Sequence, residues 1–142
     1  MREQAAPAQD RQGLADDASD HAARRILLVD NEPELRHLMR EILQEAGYLV
    51  ETSYSFSDAK ETLQHGDFDL VLTELLIGGG TRGADLASMA RANGMASLLI
   101  TGNPDQIQIM RLKHERFLAK PFTREALVEY VDAVWSVRRA PG

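Results

Sequence analysis

The sequence predicts an open, doubly wound α/β sheet, and three observations predict it. From Arg25 onward short apolar runs alternate with longer amphipathic stretches, five of each, which is the pattern of repeated βα units. Several runs lack two-residue alternation, as parallel strands covered on both faces do. Four of the runs also stop at polar residues. Ile26 to Val29 ends in Asp30-Asn31-Glu32, Leu70 to Leu72 in Thr73-Glu74, Leu98 to Ile100 in Thr101, and Phe117 to Ala119 in Lys120-Pro121. In neighbouring parallel strands those ends converge on one rim, where open α/β sheets carry their chemistry.

Each element has its own signal. Strands are expected near Ile26 to Asp30, Leu49 to Ser53, Asp69 to Thr73, Ser97 to Thr101 and Arg116 to Ala119. Pro33 opens the first helix, with Leu35, Leu38, Met39, Ile42 and Ala46 at helical spacing and Gly47 as its stop. Ser55, with Asp58 three residues on, caps a second helix that runs to about His65 before Gly66-Asp67. The third helix lies between Ala84 and Ala92 and ends near Asn93-Gly94. Asn103-Pro104 is cap plus first-turn proline for the fourth. Thr123 caps the last, with Leu127, Tyr130, Val131 and Val134 facing inward.

Composition limits the function classes. A chain of 142 residues with 44% apolar content supports one domain rather than two. The division is a disordered tail over 1–24, too polar to offset the entropy of ordering, a domain over 25–138, and a short end at 139–142. A net charge of −6 argues against a nucleic-acid surface. The absence of cysteine excludes disulfides, thiolate metal sites and cysteine nucleophiles. No run has the length of a membrane span and the N-terminus lacks a signal-peptide h-region, so a cytoplasmic protein is expected.

With the motifs Ile26-Leu-Leu-Val-Asp30-Asn31-Glu32-Pro33, Phe68-Asp-Leu-Val-Leu-Thr-Glu74, Leu99-Ile-Thr101-Gly102 and Phe117-Leu-Ala-Lys120-Pro121-Phe122, the chain resembles the receiver domains of two-component response regulators over about Arg25 to Val137. The resemblance implies a flavodoxin-like (βα)5 fold with strand order 2-1-3-4-5, a phosphoryl group accepted on an aspartate, and bound Mg²⁺. It makes Asp30 the first member of the family's acidic pair, Lys120 the phosphate-contacting lysine, Thr101 the switch hydroxyl and Phe117 the aromatic that turns inward or outward with activation. Pro121 makes a cis Lys120-Pro121 peptide an expectation. Phosphoryl transfer depends on positioning and nearby cations, and Mg²⁺ takes oxygen ligands in octahedral geometry.

Two departures bear on that chemistry. Asn31 stands at the second acidic position of the family's metal site (Asp30, Asn31, Glu74), so one negative charge is missing and only weak Mg²⁺ binding is expected, with no cofactor required. Glu74 stands at the phosphoacceptor position, and its extra methylene displaces the carboxylate; a misplacement of about 1 Å can cost on the order of 10²-fold in rate. Glu74 also has room to reach toward Thr101 and Lys120 as a partial imitation of a phosphorylated aspartate, with one charge against nearly two.

The remaining signals are weaker. Gly78 to Gly83 matches G-x-G-x-x-G but follows the third strand rather than the first, so a flexible, partly disordered loop is expected there. His21, His37, His65 and His114 show no metal-ligand spacing. Ile107, Ile109, Val128 and Trp135 fit the core stripes poorly and form a candidate interaction surface on the fourth and fifth helices, suited to a partner or a homodimer. The expectation is a stand-alone, divergent pseudo-receiver: not an enzyme, but a signalling and protein-interaction module. Its partners would be a histidine kinase, another response regulator or a downstream target, with no nucleic acid and no membrane. The alternatives are a phosphorylatable, Mg²⁺-dependent receiver with weak phosphotransfer activity, and a flavodoxin-like nucleotide-binding protein.

Overall fold

The computed structural model describes residues 24–139, with side chains through 136. The expected tail, except Arg24, and the expected end beyond residue 139 lie outside the described residues. Five strands, β1 (Arg25–Val29), β2 (Leu49–Ser53), β3 (Leu70–Glu74), β4 (Ala96–Thr101) and β5 (Phe117–Ala119), alternate with helices α1 (Pro33–Glu45), α2 (Phe56–His65), α3 (Arg82–Ala92), α4 (Pro104–Leu112) and α5 (Arg124–Arg139). All strands are parallel, in the order β2-β1-β3-β4-β5, as expected.

The unalternating runs are explained by helices on both faces. Ile26 and Leu28 of β1, with Leu70, Leu72, Leu98, Ile100 and Leu118, pack against Met39, Leu43, Leu127 and Val131 of α1 and α5. Leu27, Val29 and Val71 face Ala59 and Leu63 of α2 and Leu86 and Ala90 of α3. A smaller cluster of Leu75, Ala87, Leu99 and Met110 lies under α3 and α4, with Phe117 packed on it. Each fully buried Leu or Ile contributes roughly 1.5–3 kcal/mol, so the central strands hold the rim.

The caps follow the sequence. Ser55 Oγ accepts the Asp58 N–H at 3.2 Å, Asn103 Oδ1 the Gln106 N–H at 3.0 Å and Thr123 Oγ1 the Ala126 N–H at 3.0 Å. The third helix begins at Arg82 rather than Ala84, because the glycine segment is a tight, bonded turn instead of a loose loop. Ile77 and Gly80 exchange backbone hydrogen bonds at 2.9 and 3.2 Å, and Gly78 and Gly79 take positive φ. Gly83 then tucks under the end of β3, where a Cβ would lie 2.0 Å from the Glu74 carbonyl oxygen.

Three side chains depart from the expected faces. Leu38 is 46% exposed, on the outer side of α1. On α5, Tyr130 and Trp135 exchange roles: Tyr130 is exposed and Trp135 buried. Trp135 Nε1–H donates to Tyr48 Oη at 2.8 Å, Tyr48 Oη–H donates to Asp132, and the Arg24 guanidinium lies over the indole at 4.2 Å. Burial and the Asp132 carboxylate push the Tyr48 phenol well up, so it remains a donor. Among the described residues no helix is long and apolar enough to cross a membrane.

Candidate functional site

The strand order puts β1 and β3 side by side while β2 lies outside them, so the chain reverses direction of winding at their carboxyl ends. Asp30 follows the last residue of β1 and Glu74 is the last residue of β3. Thr101 ends β4, and Lys120 follows β5. The rim therefore gathers the four predicted polar ends.

Lys120 lies at its centre. Its Nζ donates to Glu74 Oε1 at 2.5 Å, to Asp30 Oδ2 at 3.3 Å and to Glu32 Oε2 at 3.4 Å. Asp30 is wholly buried, and the side chains of Glu74 and Lys120 are only 10% and 15% exposed. Asp30 is further held by the Glu32 N–H on Oδ1 at 2.8 Å, and the Arg36 guanidinium donates to the Asp30 carbonyl at 2.8 Å. Lys120 N–H donates to the Thr101 carbonyl at 2.9 Å, and the Lys120-Pro121 peptide is cis, as expected.

The charges at the rim act on one another. Burial pushes the Glu74 carboxyl up, against the attraction of Lys120, and neighbouring Asp30 adds to the rise. Burial would lower the Lys120 ammonium, but its bond to Glu74 and the charges of Asp30 and Glu32 more than compensate, so it is held above the ordinary lysine value. The site is thus a cation enclosed by three carboxylates.

Two expectations change. The imitation of a phosphoryl group is only half made: Glu74 meets Lys120, but the fully buried Thr101 hydroxyl instead accepts the Asn103 N–H at 3.1 Å. Asn31 is exposed, and the residue that joins Asp30 and Glu74 is Glu32. Ligand oxygens of Asp30, Glu32 and Glu74 all lie within 4.8 Å of one another. Glu32 was visible as the third residue of the acidic run, but its direction depends on the turn into α1. These oxygens suit a hard divalent cation by type, with Lys120 as the competing cation.

The interaction-surface residues separate. Trp135 is core, because it closes on Tyr48 across the α1–β2 turn. Val128, one stripe over, is half-buried against the main core. Ile107 is half-buried and Ile109 is 42% exposed, since Met110 is the residue of α4 that turns inward. Phe117 lies against the Leu75, Leu99 and Met110 cluster.

A five-stranded parallel sheet whose carboxyl rim holds an acid-lysine cluster defines a class of signalling domain. The chain belongs to the response regulator receiver domain family, whose model matches residues 26–132. It is similar to the C4-dicarboxylate transport transcriptional regulatory protein DctD of Pseudomonas aeruginosa, 33% identical over 125 residues, which cover 83% of this chain and 26% of that protein. It is also similar to the DNA-binding response regulator MtrA of Mycolicibacterium smegmatis, 27% identical over 118 residues, 80% of this chain and 51% of the relative. The chain thus spans about a quarter to a half of the length of these curated relatives. Among solved structures, the response regulator TrrA of Thermotoga maritima, in complex with Mg²⁺ and BeF, matches with a TM-score of 0.67 and 27% identity over 78% of this chain and 98% of its own. A CheY-like receiver from Methanospirillum hungatei, at 21% identity, shares the fold with a TM-score of 0.71 over 84% of this chain and 98% of its own.

Proposed function

We propose that this receiver domain signals through protein contacts and does not carry a phosphoryl group on residue 74. The observation that carries the reading is the 2.5 Å contact between Lys120 Nζ and Glu74 Oε1. The longer glutamate side chain brings its carboxylate onto the lysine, where a shorter aspartate would leave space for an incoming phosphoryl group. Attack needs the reacting oxygen held in line at near-contact distance. Here that oxygen is bound to a partly buried ammonium.

The domain is then a binding module in a two-component pathway rather than an enzyme. Its partners are a histidine kinase, another regulator or a downstream target, and homodimerisation through α4 and α5 uses the exposed Ile109 rather than Trp135. No cofactor is needed. Asp30, Glu32 and Glu74 bind Mg²⁺ weakly, because the ion must compete with Lys120 and Asn31 adds no charge.

The test is an NMR titration with Mg²⁺ plus beryllofluoride, paired with labelling by acetyl phosphate, on wild type and on Glu74→Asp/Asn31→Asp. The expected result is a beryllofluoride-dependent rim response and label only in the double variant, with Mg²⁺ alone giving at most weak shifts in the wild type. Stable label on Glu74 of the wild type overturns the proposal in favour of a phosphorylatable receiver.

A further inference from the structure

We propose that the groove between α3 and α4 docks an acidic peptide segment carrying an apolar anchor. The inference goes beyond the reading above, since it needs neither outcome at Glu74. A cavity of about 210 Å³ opens between the two helices. A second, of about 380 Å³, opens at the start of β4, and Arg91 borders both.

The groove has an apolar floor and a cationic edge. Leu75, Leu99 and Met110, buried members of the small cluster, line it, and the exposed Ile109 stands at its wall. Arg91, Lys113 and Arg116 surround the two cavities, and Glu115 is the one acid among their described lining residues.

These cations are unusual in a chain where 22 acids face 16 bases. Arg91 donates to two neutral hydroxyls, Ser97 Oγ at 2.9 Å and Ser88 Oγ at 3.4 Å. Arg116 donates to the Tyr130 carbonyl at 3.1 Å and lies over that residue's ring. Among the described residues none of the three forms an ion pair with a carboxylate. Their positive charge is left for an external partner, and guanidinium forks suit carboxylates.

The charge says acidic, and the floor says apolar anchor. Peptides dock in such grooves by burying a few apolar side chains while charges at the edge fix orientation. A nucleic acid would need a longer basic track. The position also connects to the rim: Leu75 directly follows Glu74, its N–H is bonded to the Ile100 carbonyl at 2.8 Å, and Phe117 packs on the same cluster. An occupant therefore touches the residues that hold the end of β3.

The test is a ¹⁵N NMR titration of the full chain with a synthetic twelve-residue peptide of Asp and Glu containing two leucines. Comparison probes replace the leucines with serine, replace the acids with lysine, or use a twelve-nucleotide uridine oligomer. Saturable shifts are expected at Ser88, Ile109 and Lys113 with the first peptide, and Arg91→Glu, Lys113→Glu and Ile109→Asp should each weaken binding about three- to ten-fold. The Lys113 side chain makes no hydrogen bond among the described residues, so Lys113→Glu serves if Arg91→Glu unfolds. The proposal is overturned by absence of saturable shifts at millimolar peptide, by equal affinity for the serine or lysine peptides, by tighter binding of the oligonucleotide, or by unchanged affinity in folded variants.

Discussion

Replacing Gly83 with alanine should destabilise the domain, although the change is from a poor helix former to the best one. In an open first turn of α3 it would gain up to about 1 kcal/mol. At Gly83 the new Cβ would lie 2.0 Å from the Glu74 carbonyl oxygen and 2.8 Å from the Leu75 Cα and carbonyl oxygen. These are backbone atoms of a central strand and its continuation, so they cannot swing aside as a side-chain tip can. Overpacking of this kind costs about 1–3 kcal/mol, and the upper end applies here. Pushing α3 outward also weakens the Gly83 N–H to Leu75 carbonyl bond, now 3.0 Å, at a cost of about 1 kcal/mol. The net loss is roughly 2–3 kcal/mol. For a domain of this size about 4 °C of Tm corresponds to each kcal/mol, so thermal unfolding followed by circular dichroism should show a drop of roughly 8–12 °C. Gly80→Ala, where no atom lies within 4 Å of the added carbon, should stay within about 0.5 kcal/mol of wild type. If Gly83→Ala melts within about 2 °C of wild type, the close approach of α3 to β3 is wrong as described.

Two further outcomes are expected from the fold and the rim. Trp135→Ala should lose about 3–5 kcal/mol in urea unfolding, and Trp135→Phe only about 1 kcal/mol, for the N–H donated to Tyr48; similar losses for both would mean that ring burial is not what holds α5 to the α1–β2 turn. Lys120 is held above its ordinary value of 10.5, so its contribution to stability is complete below that value and is lost as pH rises through the higher folded value. Urea midpoints measured in EDTA should therefore fall above about pH 10.5 in wild type, while Lys120→Met lacks that particular decline; parallel curves would refute the enclosed ammonium.

Much of this was written in the sequence because it depends on local periodicity and punctuation. Apolar runs without alternation specified buried parallel strands, while Pro33, Ser55, Asn103 and Thr123 marked helix starts that the structure uses. The polar ends of those strands named Asp30, Glu74, Thr101 and Lys120, since successive parallel strands must bring the same ends to one rim. What the periodicity of α5 could not distinguish was Tyr130 from Trp135. Both lie near the edge of the apolar stripe, and the choice was made by Tyr48, a residue from a distant turn that offers Trp135 a buried hydrogen-bond partner.

The rim shows the same division. By itself the sequence determined which chemical groups arrive there, including the glutamate at the acceptor position, because residue type and strand end are local facts. Only the tertiary structure decided their pairing. Lys120 bonds Glu74, Asp30 and Glu32 while Asn31 faces solvent and Thr101 turns to Asn103. Those choices are made by distances of a few ångströms between strands far apart in the chain, and by the competition of three carboxylates for one partly buried ammonium, neither of which a linear pattern contains.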